Sequence, residues 1–505
     1  MTGNQNFRGI AMVLALMFAA APGADALAAD AKKGPTVEEL LLRIEALEKA
    51  LEEVRRGGPA PVPASAPASG SVARELQSPT APVEAYSPEP TSTWTVEPFA
   101  DTGDAGFATD GPEKLKAKTG FKNGFYLETA DEEYKLRIGA HLEADGRFYL
   151  DDSSADQDDE FRMRRARIDL RGKIGERFDY NLMTDFEGGD VSLNDAYIDF
   201  EFAPWLELRA GKFKTPFGLE RLQRARGLPV AERALSDNLV PNRDLGVRLS
   251  GAFPDDRFRY AVALVNGVPD GNSEDGDFND AFDVVARVFA RPWSDNMFSP
   301  LRGAGLGLAA TYGREQGSNS EDGLPTFETS GRSDFLIYRD DGPDVIADGD
   351  RVRVSPQAIW FEGPFGLLSE YVLSSQQISR DDVRGWVSND AWQVRASWVL
   401  TGEKASMDGV VPEAPFDFGG GHWGAWEVTL RWSALDVDGE VFKKEFALAD
   451  ESARSADAVA AAVRWYLHRH VSVFLHYEHT MFRGGAPGGN RGDEDLFINR
   501  VQLEF

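Results

Sequence analysis

From residue 122 to residue 505 the chain alternates apolar and polar side chains with a period of two. Trp392, Val394, Ala396, Trp398 and Leu400 share one face of a segment whose other face carries Gln393, Arg395, Ser397 and Val399. Trp426, Val428, Leu430 and Trp432 alternate likewise with Glu427, Thr429, Arg431 and Ser433, as do Val463, Trp465 and Leu467 with Arg464, Tyr466 and His468. Successive side chains of a strand point to opposite faces, so each segment has one apolar and one polar surface. Sixteen such segments are predicted: 134–150, 161–174, 177–188, 191–203, 205–217, 244–253, 256–268, 280–293, 303–315, 350–363, 365–379, 386–402, 422–438, 456–469, 471–483 and 494–505. A soluble sandwich has no need of Trp and Leu turned away from its core in so many strands. The pattern predicts an all-β transmembrane fold, a sixteen-stranded antiparallel barrel with lipid outside and a polar lumen.

The connections alternate in length. Those at 175–177, 204–205, 254–257, 363–364 and 470 are short, as periplasmic turns are, whereas 151–160, 218–243, 269–279, 316–349 and 484–493 are long and polar, as outer loops are. An even strand count leaves both ends of the barrel on the short-turn side. Residues 402–421 break the alternation, being long at a short-turn position, and a further strand pair there is an open reading. The last strand runs Phe497-Ile-Asn-Arg-Val-Gln-Leu-Glu-Phe505, and a terminal aromatic on an alternating strand resembles the signal read by the assembly machinery of outer-membrane barrels.

Ahead of the barrel the period changes. Arg8, the apolar run Ile10–Ala21 and the small-residue site Ala26-Leu27-Ala28 read as a signal peptide over residues 1–28, cleaved after Ala28 or Ala29. The run is shorter than the ~20 residues a spanning helix takes, and no later segment is apolar enough for one. In residues 36–56, Val37, Leu40, Ile44, Leu47, Leu51 and Val54 are spaced 3, 4, 3, 4, 3, an a/d seam that predicts a coiled-coil helix. Self-association would bury the seam, whose mixed β-branched and leucine positions do not fix the number of helices; packing on its own barrel is the alternative. Residues 57–121 are rich in Pro, Ala, Ser and Gly and form a linker that tethers the helix in the periplasm.

Composition narrows the function classes. A formal net charge of −29 argues against a nucleic-acid partner, and the absence of cysteine removes disulfides and thiol chemistry. The 32 Phe and 11 Trp suit a barrel with aromatic girdles at both interfaces. Asp-rich stretches at 151–160, 270–280 and 344–350 read as solvated outer loops; binding of calcium, or of lipopolysaccharide through divalent cations, is the alternative. His468, His470, His476 and His479 cluster in the last hairpin without metal-ligand spacing, so no metal and no cofactor are expected. No nucleophile–base or paired-carboxylate constellation stands out, so the chain is read as no enzyme, an outer-membrane barrel enzyme being the competing class.

With the apolar face turned to lipid, opposite parity assigns the lumen. Arg165, Arg167, Arg171, Arg209, Arg248, Arg287, Arg395, Arg431, Arg464 and Arg500 then point inward. Guanidinium groups stay charged and offer forked donors to phosphate or carboxylate, so a series of them could pass an anion stepwise. Asp169, Asp185, Asp195, Asp199, Glu201, Glu207, Asp283, Glu427 and Glu504 share that parity, and a cross-lumen salt-bridge network is the plainer reading. The third outer loop, 218–243, is long and poor in strand signals. Folded inward it would form a constriction lined by Lys212, Lys214, Arg221, Arg224, Arg226, Arg233 and Arg243, opposed by Glu220, Glu232 and Asp237; an ordinary exposed loop is the alternative.

The run Arg165-Ala-Arg-Ile-Asp-Leu-Arg-Gly-Lys-Ile-Gly175, then Asp195-Ala-Tyr-Ile198, Gly211-Lys-Phe-Lys-Thr-Pro-Phe-Gly-Leu-Glu220, Glu232-Arg233, Asn242-Arg-Asp-Leu-Gly246 and Gly424-Ala-Trp-Glu-Val-Thr-Leu-Arg-Trp-Ser433 resembles the phosphate- and polyphosphate-selective porins, porin O and P among them. The resemblance implies a trimeric sixteen-stranded porin in the outer membrane, among lipid and lipopolysaccharide. It also implies a basic constriction on the third loop and passive diffusion of small anions, phosphate or polyphosphate. It makes Lys212, Lys214 and the loop arginines the constriction group.

Removal of residues 29–118 is expected to weaken the oligomer and leave a heat-modifiable barrel on gels. Loss of the barrel itself would refute the linker assignment.

Overall fold

The computed structural model describes residues 117–505 except 151–157, 254–256, 274–275, 277–278, 295–298 and 319–322. The expected signal peptide, the coiled coil and nearly all of the linker lie outside the described residues. Nineteen strands hydrogen-bond into one sheet; three are short (Ala117–Phe121, Phe125–Thr129 and Gly489–Asn490), and the other sixteen close into a barrel. In chain order these are β1 Tyr134–Tyr149, β2 Glu160–Ile174, β3 Phe178–Asp185, β4 Ser192–Ala203, β5 Leu206–Lys214, β6 Arg243–Ala252, β7 Phe258–Val265 and β8 Asp283–Ala290. They continue with β9 Ala304–Gln316, β10 Ile346–Glu362, β11 Phe365–Arg380, β12 Val383–Val399, β13 Ala425–Asp436, β14 Ala453–His468, β15 Val471–Ala486 and β16 Glu494–Glu504.

Each predicted segment is a strand, and the differences lie at the ends. The fifth, expected to reach 217, stops at Lys214, where Thr215 bonds to the Asn242 carbonyl at 2.8 Å and Pro216 has no N–H to continue the ladder. Residues 402–421 contain no further strand pair, only an isolated bridge between Asp417 and His422. The Gly363-Pro364 turn joins β10 to β11 with Gly363 at φ +55°, a conformation that an L side chain resists.

Burial follows the alternation. Gln393, Arg395 and Ser397 are buried in the lumen while Val394 and Trp398 are exposed outside, and Leu430 and Trp432 are 65% and 53% exposed. A continuous outward apolar surface on a closed sheet is stable only in lipid, where closure also leaves no edge unpaired. The apolar core lies not in the wall but inside the mouth at the long-loop end. There Phe217, Leu235, Leu239 and Val240 of the third loop pack with Leu324, Phe327, Phe335 and Leu336 of the β9–β10 loop and Val441 and Phe446 of the β13–β14 loop.

The seam between β16 and β1 runs from Leu496↔Tyr149 to Glu504↔His141. Arg500 and Asp145 stand opposite one another across it, both buried, with Nε–Oδ1 at 2.6 Å and Nη2–Oδ2 at 2.7 Å. The forked pair aligns the register as well as balancing charge. Beyond the end of β16 the hairpin Ala117–Phe121/Phe125–Thr129 pairs with the start of β1, and Phe121 and Phe125 pack their rings on Phe505 at 5.8 Å each.

Arg500→Gln strips buried carboxylates of their partner, a change that costs about 3–5 kcal/mol. The folded species of this variant is expected to convert to the unfolded one at a lower temperature on detergent gels; an unchanged transition would remove the seam pair from the account.

Candidate functional site

The third loop, Thr215–Asn242 between β5 and β6, folds into the barrel. Its apolar residues Phe217, Leu219, Leu228, Val230, Leu235 and Leu239 are all buried. Short helical turns at Leu219–Leu222, Ala225–Gly227 and Leu235–Leu239 leave many of its carbonyls without an intraloop partner, and the opposite wall supplies donors. Gln357 on β10 donates to the Phe217 carbonyl at 2.6 Å, and Arg431 on β13 to the Glu232 carbonyl at 2.6 Å. Arg464 on β14 donates to the carbonyls of Arg226 and Leu228 at 2.7 Å each, and Arg500 on β16 to that of Ala231 at 2.5 Å. Side chains add to this: Arg395 on β12 holds Glu220 at 2.6 Å and Gln223 at 2.9 Å, while Glu370 on β11 accepts from the Leu219 amide at 2.7 Å. Hydrogen bonds from charged donors contribute roughly 1.5–3 kcal/mol each, so the loop is fastened as firmly as a strand.

Between the loop and β2, which meet through Glu232 and Arg164 at 2.8 Å, lies a cavity of about 330 Å³. β2 contributes Arg164, Arg165 and Arg167; the loop and its flanks contribute Lys214, Arg221, Arg233 and Arg243; Arg332 comes from the β9–β10 loop. These eight cations face three lining carboxylates, Glu232, Asp237 and Glu328. Most of the balancing acids stand behind the cations instead. Arg165 pairs with Glu143, Arg167 with Asp185 at 2.6 Å, and Arg243 with Asp195 at 3.0 and 3.3 Å. Arg164 bonds Glu232 at 2.8 Å and Glu187 at 3.2 Å, and Arg221 meets Asp237 at 2.5 Å. Lys214 donates to the carbonyls of Arg221 and Gln223 at 2.8 and 3.1 Å, and Arg233 donates to the Gln223 carbonyl at 3.2 Å. Carboxylates behind a guanidinium fix its direction while its outer edge still meets the cavity. For Glu232, burial pushes the carboxyl up, but Arg164, Arg500 and Arg147 outweigh it and hold the group well below the usual range. For Asp237, burial prevails over Arg221 and Arg233 and raises the carboxyl.

Of the residues expected from the sequence, Lys214, Arg221, Arg233 and Arg243 line this cavity together with Arg165 and Arg167. Lys212 is buried on β5 outside the lining, and Arg224 and Arg226 face the other way, Arg226 toward Glu504 at 3.7 Å. Arg209 and Arg248 lie against Asp199 and Glu207, and Arg287 against Gln357 at 3.0 Å. Arg395, Arg431 and Arg464 grip the third loop. The salt-bridge and inward-series readings therefore overlap: Arg165, Arg167 and Arg243 are paired with carboxylates and also line the cavity.

Sequence reasoning missed Arg164 and Arg332. Simple alternation from Arg165 and Arg167 turns Arg164 to lipid, but Glu143 pairs with Arg165 and Ala144 with Met163, so Arg164 is the extra residue of a β-bulge and also turns inward. Arg332, at φ +67°, stands on a turn whose carbonyls are held by Arg147 (Ser330, 3.2 Å) and Tyr149 (Gly331, 2.6 Å). Arg147 was open to the same parity argument, since His141, Glu143, Asp145 and Arg147 alternate inward on β1.

The family model for phosphate-selective porin O and P matches residues 136–505. Porin O of Pseudomonas aeruginosa is 25% identical over 441 residues, covering 79% of this chain and 94% of that protein. An uncharacterised protein of Caulobacter vibrioides is 23% identical over 371 residues, 68% of each chain. Among solved structures, the outer-membrane channel DcaP of Acinetobacter baumannii is similar at a TM-score of 0.49 and 9% identity, over 76% of this chain and 99% of that one. The inward-folded third loop, the closed sixteen-stranded wall with its lipid-facing girdle, and a match spanning the whole barrel place this chain in the bacterial outer membrane as a member of the phosphate-selective porin O and P family.

Proposed function

We propose that this chain is a passive porin for small anions, phosphate or polyphosphate among them, and that the cavity between the third loop and β2 is its constriction. One observation carries the reading: eight cationic side chains present themselves to about 330 Å³ of space while most of their carboxylate partners stand behind them. An anion entering that space exchanges water for guanidinium donors already oriented, and several neighbouring sites of similar strength keep any one from trapping it. The family description favours phosphate as cargo. A general, weakly selective porin of the same family is the second reading, favoured by the carboxylates Glu232, Asp237 and Glu328 on the same lining. The reading includes no catalysis, assembles the chain as a homotrimer on the strength of the resemblance, and keeps the coiled coil in the periplasm.

In planar bilayers the purified protein is expected to prefer chloride over potassium in a potassium chloride gradient, and phosphate is expected to reduce the chloride current. Cation preference would overturn the anion assignment; an unaffected chloride current would leave the weakly selective porin. Arg164→Gln is expected to weaken phosphate block about tenfold, equivalent to ~1.4 kcal/mol, and to move the reversal potential toward that of potassium.

Acidity separates the lining carboxylates. Asp237, raised by burial, takes up a proton before Glu232, which its arginines keep ionised. The cavity loses a negative charge first at Asp237, so anion preference is expected to increase as pH falls from neutral; reversal potentials recorded at descending pH test this, and a decrease would contradict it.

A further inference from the structure

The long connection between β12 and β13 has two limbs that point in opposite directions. The first turns under the third loop at the short-turn mouth. Ala405 and Val410 are buried there with Val399, Ala425 and Tyr466, and the Met407 carbonyl accepts from Gln223 at 2.9 Å. Gly227 meets this limb so closely that a Cβ would stand 2.3 Å from the Met407 carbonyl oxygen.

The second limb runs outside the wall. The Phe416 amide bonds to the Leu467 carbonyl at 2.7 Å, beside the end of β14. The Phe416 ring meets outward-facing Trp465 edge-on at 5.1 Å, and Trp465 in turn stacks on outward-facing Trp426 at 4.9 Å. The Trp465 indole N–H donates to the Trp423 carbonyl at 2.7 Å, so this limb takes the polar handle that an interfacial tryptophan otherwise gives to water or headgroups. Trp423 lies against the Phe416 ring at 5.8 Å and against Phe418 at 6.5 Å, yet three apolar side chains keep most of their surface open: Phe418 is 81% exposed, Val411 61% and Trp423 57%. The Asp417 carboxylate is turned back on its own limb, accepting the Gly419 amide at 3.0 Å.

We propose that the segment Val411–Trp423 is an interfacial foot that sets Val411, Phe418 and Trp423 into the headgroup–acyl boundary of the inner, phospholipid leaflet. Its occupant follows from continuity. The foot is joined ring to ring to Trp465 and Trp426, which belong to the lipid-facing girdle of β14 and β13, and it extends that girdle beyond the ends of the strands. Aromatic side chains gather at this level of a bilayer. Glu413 and Asp417 are the acids of the segment and it has no lysine or arginine, so the surface suits a leaflet rich in zwitterionic phospholipid and gains nothing from anionic lipid.

The chain has no cysteine, so single-cysteine variants carry one probe each. Full-length Phe418→Cys, labelled with an environment-sensitive fluorophore and reconstituted in phosphatidylcholine vesicles, is expected to show blue-shifted emission relative to the same label at Asp408 in the same vesicles. It is also expected to lose quenching by aqueous iodide while gaining quenching by acyl-chain-brominated lipid. A label at Asp408, on the inner limb, should keep its iodide quenching and show no response to brominated lipid. Val411→Cys repeats the measurement on a second side chain of the foot. Iodide quenching at 418 and 411 equal to that at 408 would overturn the proposal. So would self-quenching between labels on neighbouring protomers without any response to brominated lipid, because the occupant would then be a second copy.

Discussion

The lumen of this barrel is organised by guanidinium groups bonded to main-chain carbonyls. A loop of irregular backbone cannot rest inside a membrane barrel unless its polar groups are satisfied. The third loop meets that condition through Gln357, Arg431, Arg464 and Arg500, which take its carbonyls, and through Arg395 and Glu370, which take its side chains and amides. These residues stand on β10 to β14 and β16, so most of the loop is fastened from one side of the wall, and Glu232 alone is taken by Arg147 of β1 and Arg164 of β2 as well as by Arg500. The gap therefore opens on the other side, against β2.

The same chemistry appears with a different orientation at the cavity. Against the far wall, arginines aim their donors at the loop and are used up in holding it. On β2 they are braced from behind by Glu143 and Asp185 and aim outward into the open space. Burial of so much charge is costly unless nearly every charge is paired. A surplus of cations toward the cavity is thus obtained by geometry, with Glu143, Asp185 and Asp195 outside the lining that their arginines join, and a net charge of −29 for the chain says nothing against it.

Most of the wall was legible in the sequence because lipid enforces strict alternation. Trp392, Val394, Trp398 and Leu400 can occupy only one face, and Arg395 then occupies the other. The inward position of Arg395, Arg431 and Arg464 followed from parity, but their partner did not, since parity gives a direction and no distance. Arg164 was hidden by a bulge, which breaks the period on the strand that gives the cavity three of its arginines. Arg332 was hidden because it lies in a loop, where no period exists. Lys212, Arg224 and Arg226 were grouped with the constriction by nearness in sequence, whereas the short turns of the loop point alternate stretches to opposite ends of the lumen. The connection 402–421 looked like room for two strands because its length was the only signal, and its residues serve packing under the loop and along the rim instead.

Arg500 has a part in two structures at once. It bonds Asp145 across the seam between β16 and β1, and through its third nitrogen it holds the Ala231 carbonyl of the third loop. Both contacts need β16 beside β1 and the loop in place, so the loop's fastening is complete only in the closed barrel. An open sheet with the loop already seated lacks this bond, and a closed barrel with the loop outside leaves the Arg500 donor without the Ala231 carbonyl. The closed cylinder and the seated loop thus share one guanidinium, and a single substitution at Arg500 reaches the wall and the lumen together.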